Sequence, residues 1–136
     1  MVQFYLLSIL VNLLGGFLLS GDIISKKFAS LEVRDKIIKS EAYTLIFAIV
    51  AGIAGIFKII SVYEGDIYVI GDLLPAIASF ILTAYFICKH ISEKKGMLEG
   101  TLETIDMFIE NYKTLIGICC IIIAILHFLF PRVLFL

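Results

Sequence analysis

The 136-residue chain is 61% hydrophobic and 17% charged, with a formal net charge of -1 and a mean hydropathy of +1.08, whereas soluble domains are about half apolar and a quarter charged. This composition excludes an ordinary soluble domain and predicts an all-α integral membrane protein, a single four-helix transmembrane domain over residues 1–136 with the lipid bilayer as its solvent. There is no basic excess and no cluster of aromatics among Lys and Arg, so no nucleic-acid partner is expected.

The first predicted helix covers about residues 2–24. It lacks the basic start of a secretory signal, and no small-residue cleavage site follows at Ser20-Gly21-Asp22, so it is read as a retained span. Asn12 sits near its midpoint, close to Gly15 and Gly16, and is expected to hydrogen-bond to a neighbouring helix. The loop that follows carries Lys26, Lys27, Arg34, Lys36 and Lys39 against only Glu32 and Asp35.

Ser40-Glu41 reads as the start of the second helix, about 41–63, with Ser as the cap and Glu in the first turn. Ala48 with Gly52, and Ala51 with Gly55, are small-xxx-small pairs that favour close helix packing, either within one chain or between copies. Lys58 is the one charged residue inside the apolar stretch from Ala42 to Tyr63.

The third helix is expected over about 67–95, or from residue 73 if Gly71-Asp72 interrupts it. Gly71 before Asp72, with Pro75 three residues on, is also how a helix begins, because Asp caps and Pro is tolerated in the first turn. Gly96 after Lys94-Lys95 would close it.

Leu98, Leu102, Ile105, Ile109 and Tyr112 then recur at helical spacing and predict an amphipathic cytoplasmic helix over about 98–111, between helices three and four. Glu99, Glu103, Asp106 and Glu110 form an acidic face beside that stripe. Lipid-binding interfacial helices carry Lys or Arg on the polar face, and none occurs between Gly96 and Tyr112. The acidic face is therefore assigned to a protein partner or to the basic first loop, with a solvated face as the alternative. The fourth span is expected over about 113–134, with His127 inside it.

Basic residues set the orientation. Besides those of the first loop, Lys89, Lys94, Lys95 and Lys113 flank the second long loop, and only Lys58 and Arg132 lie toward the other side. Both long loops are then cytoplasmic, and both termini lie outside a plasma (cytoplasmic) membrane. A tandem duplication of two hairpins is set aside, because Asp22 ends one helix and Asp72 starts another, placing the shared Gly-Asp dipeptides on opposite faces.

Helix rise at 1.5 Å per residue puts Lys58 about 24 Å, Asp72 about 22 Å and His127 about 21 Å above the cytoplasmic boundary. Ionisable groups at such depth are costly and mark candidate sites, so Lys58, Asp72 and His127 are read as one polar site in the outer half of the membrane. Each also has a plain structural explanation: Asp72 as a helix cap, Lys58 reaching to the headgroups, and His127 bonded to a backbone carbonyl or hydroxyl.

Three functions follow. A small oligomer could carry or conduct a small ion or solute, an anion or a proton-coupled species, through that site. The chain could instead be an accessory or structural subunit that binds a larger membrane protein. A lipid-modifying enzyme is the weakest reading, because no H-E-x-x-H, G-x-S-x-G or phosphate-loop motif occurs. Cys88, Cys119 and Cys120 lack the spacing of a redox or zinc motif and are read as packing residues, so no cofactor or metal is expected.

Overall fold

In the computed structural model the described residues are 2–24, 36–60, 73–95 and 100–130. They form four helices: α1 (Val2–Ile24), α2 (Glu41–Ile60), α3 (Leu73–Lys95) and α4 (Thr101–Leu129). No strand occurs among the described residues. Each helix contains a segment long and apolar enough to cross a membrane.

The starts and stops follow from the sequence. Helix α2 begins at Glu41, which places an acid in the first turn, the favourable end of the dipole. Helix α3 begins at Leu73, so Pro75 lies in its first turn, where a missing N–H removes a donor that has no partner in the helix. Gly100 precedes α4 with φ 68, a backbone conformation that glycine adopts without steric cost.

Two expectations about the last helix are corrected. The amphipathic segment over 98–111 is not a separate helix: from Thr101 it forms the first part of α4, which runs unbroken for 29 residues. Between Thr101 and Leu129 the only potential breaker is Gly117, and a single glycine in a helix costs about 1 kcal/mol against alanine. Nothing between the acidic stretch and the span ends the hydrogen-bond ladder. At the other end the helix stops at Leu129, short of residue 134, and Phe130 takes φ -129. Pro131 follows it, and the residue before a proline is pushed out of the helical region.

The bundle is two close antiparallel pairs, α1 with α4 and α2 with α3, joined mainly through α1, which also touches α2 and α3. Of the four spans α1 is the most enclosed and α4 the least. At the α1/α4 contact the backbones nearly touch: a Cβ added at Gly16 would lie 2.6 Å from the Gly117 carbonyl, and one at Gly117 would lie 2.6 Å from both the Gly16 carbonyl and the Ser20 nitrogen.

The small residues of α2 pack inside the chain. Ala48, Ala51 and Ala54 are buried, and Gly55 lies under the Phe80 ring of α3. The core between the pairs holds Leu18, Leu19, Leu82, Tyr85, Phe86 and Cys120. Large apolar side chains such as Ile46, Ile53, Leu115 and Ile122 face outward, the inverse of a soluble surface and the pattern that a hydrocarbon solvent accepts.

Candidate polar site at one end of the bundle

Because α1 and α4 are antiparallel, the first turns of α1 lie beside the last turn of α4, and the last turn of α2 joins them. Lys58 and His127 lie in the final turns of their helices, and both are buried, at 5% and 1% exposure. The structure brings them to one residue, Tyr5. The Lys58 ammonium lies 5.1 Å from the Tyr5 ring centroid, and the His127 ring centroid lies 4.8 Å from it at a tilt of 57°. Phe4 stacks on Phe57 at 4.2 Å and fixes α1 against α2 at the same level.

Tyr5 also uses its hydroxyl. It donates to the His127 carbonyl at 2.9 Å and to the Phe128 carbonyl at 3.2 Å. The last four carbonyls of a helix have no partner within it, so Tyr5 caps α4 from a neighbouring helix. The Phe130 N–H satisfies another of them, Leu126, at 2.8 Å.

This placement helps to explain how a lysine can be buried here. The carbonyl ends of α2 and α4 both carry partial negative charge toward it, and the Tyr5 ring offers its negative face; a desolvated cation–π contact is worth about 2 kcal/mol. Lys58 is therefore turned inward, and the alternative in which it reaches out to headgroups does not describe this side chain.

Two turns further along α1 a second polar layer lies wholly inside the bundle. Asn12 donates through Nδ2 to the Pro75 carbonyl at 3.0 Å, and the Ser79 hydroxyl lies 3.1 Å from Asn12 Oδ1 and 2.9 Å from the same carbonyl. Ser79 and Asn12 have no exposed surface. The pair ties α1 to the first turns of α3.

The register of α1 on α3 is consistent along its length. Asn12 meets Ser79, a separation of 67, and Gly15 meets Leu82 at the same offset. By that offset Leu73, the first residue of α3, lies level with Leu6, next to Tyr5. Asp72 and Gly71 lie outside the described residues, as does Glu99; of Glu103 and Asp106 only the backbone is described. Glu110 is exposed and pairs with Lys113 on its own helix.

Tyr5 is the member that sequence reasoning missed. A tyrosine near the start of an apolar helix is ordinary at a membrane interface, and nothing in its spacing links it to residues more than fifty positions away. Ser8, fully buried one turn on, bonds to the Tyr5 carbonyl at 3.0 Å and extends the polar face of α1. Among the described residues no three His, Cys, Asp or Glu side chains are grouped to hold a metal.

Residues 1–127 match a protein family of unknown function. The chain belongs to that family. The matched region takes in all three members of the Tyr5 cluster and the Asn12 layer. No curated protein and no solved structure matches the chain.

Proposed function

We propose that the chain is a multi-pass protein of the plasma membrane that binds a small anion or proton-coupled solute in its outer half and, as an oligomer, passes it across. The observation that carries this reading is the convergence of Lys58 and His127, from helices far apart in sequence, on Tyr5 in the bundle interior. A cation and a proton-exchanging imidazole at one level offer a carboxylate or halide both charge and hydrogen-bond donors, while the Tyr5 hydroxyl, bonded to the α4 carbonyls, holds α1 and α4 in place around them. The distribution of basic residues supports an orientation with this end outside and both long loops cytoplasmic; Asp72, outside the described residues, enters the proposed site by its sequence position just before Leu73.

The other half of the bundle explains why an oligomer enters the proposal. Leu18, Leu19, Leu82 and Phe86 fill the interior beyond the Asn12 layer, so a route through one chain meets packed hydrocarbon. A path between copies, or a rearrangement of the two helix pairs, has to complete it. The test is chloride and proton flux in liposomes carrying the purified chain, with Lys58→Met, His127→Ala, Asp72→Asn and Tyr5→Phe made singly. Flux should fall at least tenfold in the first two while the oligomer size is kept; wild-type flux in all four variants would remove the site.

The accessory-subunit reading has its own observation. Met107, Phe108 and Tyr112 are exposed on α4 beside Glu110, a surface that a larger membrane protein could cover. Here copurification of one fixed partner should depend on Glu103, Asp106 and Glu110, with the polar site dispensable.

A further inference from the structure

Beyond the Phe4–Phe57 stack a groove of about 530 Å³ lies between α1 and α2, lined by Leu10, Leu14, Phe17, Ile37, Phe47 and Val50. Its walls are almost wholly apolar. On α1 it runs from Leu7 to Leu18, about 16 Å of helix and close to half of a core about 30 Å thick; on α2 it runs from Tyr43, in the first turn, to Val50, midway along Glu41–Ile60.

The end of the groove differs from its walls. Ile37 closes it, and Lys36 and Lys39, the residues either side of the Ile37-Ile38 pair, are exposed. Tyr43 is 59% exposed at the same end, where an amphipathic ring suits the headgroup level. Glu41 is the one exposed acid beside them among the described residues, and over the sequence from Arg34 to Glu41 the three cations Arg34, Lys36 and Lys39 outnumber the two acids Asp35 and Glu41.

We propose that this groove is a binding site for a single glycerophospholipid with an anionic headgroup, its acyl chain against Leu10, Leu14, Phe47 and Val50 and its phosphate at Lys36 and Lys39. The argument is complementarity at both ends of one ligand: an apolar slot of leaflet depth, and cations where the headgroup would lie. The occupant is a lipid of the leaflet that faces the basic loops. The inference rests on the bundle lying in a membrane and is independent of the Tyr5 site.

The experiment is native mass spectrometry of the full-length chain in detergent, titrated with phosphatidylglycerol and, separately, phosphatidylcholine. One phosphatidylglycerol should be retained in preference to phosphatidylcholine, and the double variant Lys36→Gln/Lys39→Gln should lose that preference by roughly fivefold per lysine. Leu14→Phe and Val50→Phe fill the slot from partly exposed positions and should lower retention of both lipids. Equal retention of the two lipids by the wild-type chain, or undiminished retention in the slot-filling variants, overturns the proposal. A change of oligomer size in those variants without a change in bound lipid assigns the groove to a second copy and overturns it equally.

Discussion

At the scale of single residues, Lys58 and the Asn12–Ser79 pair are tolerated inside this bundle because each faces something that lowers its burial cost. Tyr5 serves two polar partners at once, its ring facing Lys58 and its hydroxyl the carbonyls at the end of α4. The two contributions can be separated. Tyr5→Phe keeps the ring and loses the hydroxyl bonds, and should cost about 1 kcal/mol, the usual net worth of a neutral hydrogen bond. Tyr5→Leu removes the ring as well, leaving Lys58 without its aromatic face, and should cost about 1–2 kcal/mol more. Unfolding of the reconstituted chain by denaturing detergent measures both; equal stability of the Phe and Leu variants would show that the ring contributes nothing to holding Lys58. The level shared by Lys58 and His127 was legible in the sequence, because helix rise alone places a residue along a span. Their common partner was not, since the rotation of α1 about its axis decides which side chains face inward. That helix is apolar nearly all round, so its pattern does not reveal the inward face.

At the scale of helices, glycines separate contacts that resist change from those that accept it. At Gly117 an added methyl group would meet backbone on α1 at 2.6 Å, and backbone cannot move aside without parting the two helices. Gly117→Ala should therefore destabilise by about 1–3 kcal/mol, the range for overpacking a tight contact. At Gly52 the same methyl group lies 3.4 Å from the Thr83 side chain, an ordinary contact. There the better helix propensity of alanine decides, and Gly52→Ala should stabilise by up to about 1 kcal/mol. Thermal unfolding in detergent should move in opposite directions for the two variants, and a matching loss in both would mean that α2 is packed against α3 more tightly than described. The small-residue signal was visible in the sequence on α2, where Ala48, Ala51, Gly52 and Gly55 recur. The closest approach lies elsewhere, between Gly16 and Gly117, and no local pattern links two glycines so far apart in the chain.

At the scale of the whole molecule, the consequence of α4 being one helix is a rod longer than the hydrocarbon core of a membrane. Its 29 residues extend about 43 Å at 1.5 Å per residue, against a hydrocarbon core of about 30 Å. The apolar segment begins near Glu110, so in a membrane-spanning bundle the surplus would lie at the Thr101 end, the part of the helix that holds Glu103 and Asp106. The hydrophobic period was readable there from sequence, but the same period describes a helix lying on a surface and the start of one that enters it. Only the missing breaker between Tyr112 and Thr114 distinguishes them. Spin labels at Thr104 and Phe128, both exposed, in a chain whose three cysteines are replaced by alanine, would measure the difference. A continuous helix places them about 36 Å apart, whereas a right-angle turn near residue 112 brings them to about 27 Å. In liposomes the distance distribution should centre near the longer value. A centre near the shorter one would lay the acidic segment along the membrane surface and remove the projecting face on which the accessory-subunit reading depends.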